Sequence, residues 1–165
     1  AQANGRALWN TELVSLLSDN PSFAGICMRD EIPKLMNKEL KSGAKKFGFI
    51  YNTDETGMPG QHWRAVWCDL KDKKHVCHYD SFGDKMEPDI KKTLQKIMND
   101  AGLPEFMKLK ENRVPHQRKK SQRCGYHCVL FLDRMAHGMS FIDATDVNEA
   151  LAATLENKFK KFKFV

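Results

Sequence analysis

The stretch "KKSQRCGYHCVLFL", residues 119 to 132, sets a run of positive charge directly against the most apolar segment of the chain. The apolar part continues as "CGYHCVLFLDRMAHG" with Gly138 placed to stop it. The spacing predicts a buried helix that starts near Cys124 and lies through the middle of the domain. A cysteine at a helix start faces backbone N–H groups that have no intrahelical partner and the positive end of the helix dipole, and both favour thiolate. Gly125 behind it removes a side chain that would crowd an approaching carbonyl. The backbone N–H of Cys124 can then serve as half of an oxyanion hole.

Outward from that helix the chain reads as alternating elements. "ALWNTELVSLLSDN" has Leu8, Leu13, Leu16 and Leu17 at near-helical spacing and ends at Asn20-Pro21. "FAGICMRDEIP" reads as an extended segment and a turn closed by Pro33, and "KKFGFIYN" as a strand rich in aromatic and β-branched residues. The loop "TDETGMPG" precedes two strands, "HWRAVWCDL" and "HVCHYDSF", which the charged turn "KDKK" joins as an antiparallel hairpin. "EPDIKKTLQKIMNDAG" is a helix with Pro88 in its first turn and Ile90, Leu94 and Ile97 inward. "FMKLKENRV" is a further strand, and "DATDVNEALAATLENKF" a last helix. The expected class is α+β, a central mixed, largely antiparallel sheet packed by helices. One domain is expected over residues 1–165.

Hydrophobic content of 41% and charged content of 29% are those of an ordinary globular domain. No apolar run approaches the roughly 18 residues a membrane helix needs, and no signal-peptide pattern opens the chain, so no membrane partner is expected. Five cysteines, an odd number, argue against a fully paired disulfide framework and for free thiols in a reducing, intracellular setting. The net charge of +6 suits an anionic partner such as DNA, and equally a plain basic surface.

Zinc, a redox pair and a nucleophile compete for Cys124. Only Cys124 and Cys128 have metal-pair spacing, and nothing supplies a second matching pair; Cys68, Cys77, His75 and His78 scatter over the hairpin. A C-x-x-C motif is absent, which removes the redox pair. The nucleophile remains, while Cys27, Cys68, Cys77 and Cys128 fit small buried apolar residues. A thiolate needs a base, and the base needs an orienting group. Among six histidines, His62 stands out because it follows a Gly/Pro loop that includes Gly60 and opens a strand, on a cleft rim. His75, His78, His116, His127 and His137 are expected to be solvated or to pack. Asp80, at the end of the paired strand, can hold an imidazole from the neighbouring one, although an Asp-Ser before Gly is also a turn signal. Gln117 and Gln122 can each donate to an oxyanion, and chemistry alone does not choose between them.

The set "GQHWRAVW", "HYDSFGD", "PHQRKKSQRCGYHCVLFL", in that order, resembles the cysteine proteases that group the adenovirus maturation protease (adenain) with the ubiquitin-like-protein proteases. The resemblance covers about residues 23 to 136. It implies His62 as general base, Asp80 as the group that orients it, Gln117 as oxyanion donor and Cys124 as nucleophile. The seven-residue interval from Gln117 to Cys124 matches the family and favours Gln117 over Gln122. It also implies a permuted papain-like fold, because papain itself places its cysteine first. Trp63, Gly60 and Gly125 become candidates for the substrate cleft, with Trp63 expected to pack under the imidazole or wall the cleft.

"CGYHCVLFL" is nearest the adenovirus enzyme's Cys-Gly-x-x-Cys helix, whereas "YDS" resembles the cellular enzymes. The implied function is a thiol-dependent endopeptidase of a virus or virus-like element, such as a virophage or Polinton-type transposon. It would act as a monomer in the virion and infected cell, cutting capsid precursors after small or glycine residues. No metal and no obligatory cofactor is expected; activation by DNA or by a basic peptide is an open expectation. "EFMKLKENRV" lacks the cysteine through which the adenovirus enzyme binds its activating peptide. Two other classes stand beside this reading: a protease removing ubiquitin-like modifiers in nucleus or cytoplasm, and a non-enzymatic basic nucleic-acid-binding module. Arg118, Lys119, Lys120 and Arg123 read as a solvated loop, and the Phe/Lys tail "KFKKFKFV" as aromatics docked on the core or stacking on nucleic acid.

Overall fold

The computed structural model describes residues 8–58, 60, 62–103, 108–113, 115 and 121–163. A five-stranded mixed sheet of β1 (Phe23–Met28), β2 (Lys46–Asn52), β3 (Trp63–Asp69), β4 (His75–Tyr79) and β5 (Lys108–Glu111) runs in sequence order. The outer pairings β1/β2 and β4/β5 are parallel, and the inner two are antiparallel. The β3–β4 hairpin is the one the "KDKK" turn predicts, with Ala65 opposite Tyr79.

Strand β3 is buried along its whole length, so its alternation sorts residues between two cores rather than between core and water. Trp63, Ala65 and Trp67 join one cluster with α1 (Asn10–Leu16), α4 (Cys124–Ala136), the short α5 (Phe141–Ala144) and α6 (Glu149–Lys163). Val66 and Cys68 join the other, covered by α2 (Ile32–Lys41) and α3 (Pro88–Asp100).

The helix starting at Cys124 lies through the middle, as its composition predicts. Nine of its residues are buried, and it packs mainly on β3. The approach is close because Gly48 on β2 has no side chain: a Cβ there would stand 2.6 Å from Leu132 Cδ2 and 3.0 Å from Trp67 Cε3. Phe131 stacks on Tyr79 with ring centres 4.9 Å apart, and truncating such a buried ring costs about 3–5 kcal/mol. No helix among the described residues is long and apolar enough to cross a membrane.

Three elements differ from expectation. Pro33 does not close a turn; it sits in the first turn of α2, where its missing N–H is no loss and its fixed φ suits the helix. In α3 the inward positions are Ile90, Leu94 and Met98, with Ile97 only half-buried. The last helix is divided, because the Asn148 side chain accepts from Leu151 N–H at 2.8 Å and starts α6 afresh.

Candidate active site

His62 immediately precedes β3 and Asp80 immediately follows β4, so the antiparallel hairpin brings both to one end of the sheet. Cys124 arrives there as the first residue of α4. His62 Nε2 lies 2.7 Å from Asp80 Oδ1, and the Cys124 thiol is within hydrogen-bonding reach of the same ring. With Nε2 donating to the carboxylate, Nδ1 is the nitrogen left for sulfur. Cys124 is 6% exposed and the His62 side chain 15%, so the pair is shielded from bulk water without being sealed.

Asp80 is held from every side. Its Oδ1 also accepts from Phe82 N–H at 2.9 Å, and its Oδ2 accepts from Arg64 Nε at 2.9 Å. Asn112 clamps its backbone, accepting from Asp80 N–H at 2.9 Å and donating to its carbonyl at 2.6 Å. Burial opposes the Asp80 charge, but the His62 hydrogen bond and charge, the Phe82 N–H and the Arg64 charge hold its pKa below the usual carboxylate range. At His62 burial also opposes the charge. There the hydrogen bonds to Asp80 and Cys124 prevail and push the ring up to about 9, so it is an imidazolium at neutral pH. Phe82 stacks on the imidazole at 4.9 Å, a face-on contact that favours the cation.

The other thiols differ from Cys124 in setting. Burial pushes Cys27 and Cys77 up to about 12 and raises Cys68 and Cys128 as well, so all four stay protonated at neutral pH. All five cysteines are free. Among the described residues no group of three His, Cys, Asp or Glu side chains is arranged to hold a metal ion.

Several placements refine or correct the sequence reading. Trp63 is buried, and its indole Nε1 donates to the Leu8 carbonyl at 3.1 Å; Phe82 takes the place expected of it against the imidazole. The room that Gly125 leaves is used by the packing of the N-terminal segment, since a Cβ there would lie 2.8 Å from Leu8 Cδ1 and 3.2 Å from Leu13 Cδ2. Gly60 is half-buried against Asn52, with φ of +91° and its N–H donated to Asp54 Oδ2 at 3.0 Å. Gln122 is exposed. Gln117, His116, Arg118, Lys119, Lys120 and Phe164 lie outside the described residues.

Arg123 is not solvated. It is buried, with Nη1 2.6 Å from Glu149 Oε1 and Nε 3.2 Å from Glu156 Oε1. Ser121 Oγ donates to the same Glu149 oxygen at 2.6 Å, and His127 Nε2 lies 3.1 Å from Glu149 Oε2. One carboxylate of α6 thus holds residues on both sides of Cys124, and its partners sit too far along the chain for local spacing to reveal them. Arg64 and Phe82 do have a signal in the sequence: Arg64 lies two residues from His62 on the same side of the extended β3 end, and Phe82 lies two residues from Asp80 in the Asp-Ser-Phe-Gly turn.

No protein-family model matches the chain. It is 26% identical over 138 residues to a putative thiol protease of Acanthamoeba polyphaga mimivirus, covering 77% of this chain and 44% of that protein. It is 21% identical over 122 residues to a cysteine protease of African swine fever virus, covering 72% of this chain and 44% of that one. The chain therefore spans less than half the length of the curated relatives it matches. In fold it is similar to the crystal structure of the African swine fever virus protease, with a TM-score of 0.74 and 14% identity over 94% of this chain and 68% of that one. It is also similar to the C-terminal Ulp1 protease domain in complex with Smt3, the yeast SUMO orthologue, with a TM-score of 0.64 and 15% identity over 93% of this chain and 75% of that one. In sequence the chain is thus similar to two viral thiol proteases, and in fold to the African swine fever virus protease and to the Ulp1 protease domain.

Proposed function

We propose that residues 8–163 act as a thiol-dependent endopeptidase domain, with Cys124 as nucleophile, His62 as general base and acid, and Asp80 orienting the imidazole. The observation that carries this reading is the His62 imidazole held by Asp80 at 2.7 Å at the same end of the sheet where Cys124 opens α4, near enough for its thiol to act on the ring. Cys124 Sγ attacks the scissile carbonyl carbon while its proton resides on His62. The developing oxyanion is met by the Cys124 backbone N–H at the open end of α4. Gln117 supplies the second donor on the strength of the family resemblance. The imidazolium gives its proton to the departing amine, and the ring then draws one from the water that hydrolyses the thioester. Asp80, kept charged, stays charged throughout.

The proposed substrates are capsid or other precursor proteins cut after small or glycine residues, in the virion and infected cell. Support comes from the viral source of the two sequence relatives. A second reading, a protease acting on ubiquitin-like modifiers, is favoured by the fold neighbours solved with the SUMO orthologue and with ubiquitin. Digestion of Gly-Gly reporter peptides and of SUMO and ubiquitin fusions, by wild type and Cys124→Ala, tests both readings. Loss of at least about a thousand-fold in the variant is expected, and equal cleavage by both proteins ends the proposal. Cleavage confined to the fusions selects the modifier protease.

A further inference from the structure

Around the His62–Asp80 pair lies a line of alternating charge that the reaction itself does not use. Arg64, on β3, donates Nε to Asp80 Oδ2 and is almost fully buried. Its Nη1 is buried without a hydrogen bond, the carboxylate it faces being Glu87 Oε1 at 3.5 Å. Glu87 is the N-cap residue of α3, and its other oxygen lies 2.5 Å from Arg29 Nη1, in the turn after β1. Arg29 in turn reaches Asp89 Oδ2 at 2.6 Å, on a side chain that is 70% exposed. The line Asp80–Arg64–Glu87–Arg29–Asp89 therefore runs from the acid of the candidate triad to the surface. Glu87 is gripped tightly from outside and loosely from inside.

The neighbours of His62 can be named element by element. Asp80 follows β4, Cys124 opens α4, Arg64 lies on β3, and Tyr51 on β2 stands beside the Arg64 guanidinium. His78 on β4 bonds the Tyr51 hydroxyl at 2.8 Å, and burial with the Arg64 charge beside it pushes its pKa down to about 3, so it stays neutral. The adjustable charges facing the pair are thus Arg64 and, behind it, Glu87 and Arg29.

We propose that Arg64 is a positioning residue of the site: by occupying Asp80 Oδ2 it turns Oδ1 onto His62, and Glu87 and Arg29 set how strongly it draws on that carboxylate. This rests on the protease reading for its meaning, although its measurement does not need turnover. Where Arg64 pulls harder, Asp80 has less charge to offer the imidazolium. Where Glu87 satisfies Arg64, more is left. An arginine kept only to knit β3 to the end of β4 would change stability and leave the imidazole titration in place.

The test is an NMR pH titration of the His62 imidazole, assigned by comparison with His62→Gln, in the full chain at low salt and at about 0.5 M salt, where exposed charges are screened over a few ångströms. Arg64→Met should raise the midpoint by about one pH unit and Arg64→Lys should restore part of the difference. Glu87→Gln should lower it by about half a unit, and Arg29→Met should raise it by a few tenths, with these shifts surviving salt. Lys85→Gln removes an exposed charge two residues from Glu87 and should shift nothing. Should Arg64→Met fail to fold, the half-exposed Glu87 and Arg29 variants decide. Opposite shifts support the line of charge; shifts in one direction, shifts abolished by salt, or none overturn it. A protein that shows the alternation but cuts no peptide keeps this inference and loses the protease reading.

Discussion

Arg64 and Arg123 are both buried arginines, each facing two carboxylates, one lying two residues after His62 and the other directly before Cys124. Arg64 holds Asp80 and Glu87 beside the base. Arg123 holds Glu149 and Glu156 beside the nucleophile. The difference lies in what the carboxylates touch. Asp80 is bonded to His62, so Arg64 acts on a protonation state. Glu149 is bonded to Ser121, Arg123 and His127, so Arg123 acts on where α4 begins. The same buried ion pair thus serves charge on one side and geometry on the other.

The sharpest way to break this contrast is Arg123→Met. It removes the buried cation that Glu149 and Glu156 share, and loss of about 3–5 kcal/mol of stability is expected in urea or thermal melts. The midpoint of the His62 titration in the folded fraction should stay where it is. A shift comparable with that of Arg64→Met would erase the distinction.

The two sides should also fail at opposite ends of the pH scale. At Glu149 burial favours the neutral acid, but hydrogen bonds from Ser121, Arg123 and His127 hold its pKa low. Its stabilisation is present above the ordinary carboxylate pKa and is lost as pH falls through the lowered one. His62 is raised, up to about 9, so its contribution is full below the ordinary histidine value near 6.5 and is lost as pH rises through about 9. Melting temperatures of Glu149→Gln should approach wild type in acid, and those of His62→Gln in alkali. The reverse pattern would refute the assignment.

A smaller effect is expected from Phe82→Leu. It removes the ring stacked on the imidazole and should lower the His62 midpoint by about half a pH unit, roughly the 0.5–1 kcal/mol of such a contact. A rise instead would mean that the ring acts mainly by excluding water.

How much of the fold and site is legible in the sequence follows the range of the interactions. The hairpin, α3 and the central helix rest on local periodicity and turn residues, and they appear where periodicity puts them. His62, Asp80 and Cys124 meet because a hairpin and one helix start suffice to bring them together. The helix α2 was hidden by Pro33, which is a stop signal inside a helix and a start signal in its first turn. Its spacing of Ile32, Leu35 and Met36 was the available clue. Arg123 was hidden in a run of basic residues, because its partners lie 26 and 33 residues downstream on α6. No local rule reports a pairing of that span.

The central claim is that Cys124 is reactive because His62 lies on it. Labelling the folded protein at neutral pH with an electrophilic Gly-Gly peptide, followed by mass mapping, tests this most directly. Modification at Cys124 alone is predicted, slowed by at least about a hundred-fold in His62→Ala. Label spread over the other cysteines, or an unchanged rate in His62→Ala, would contradict the account.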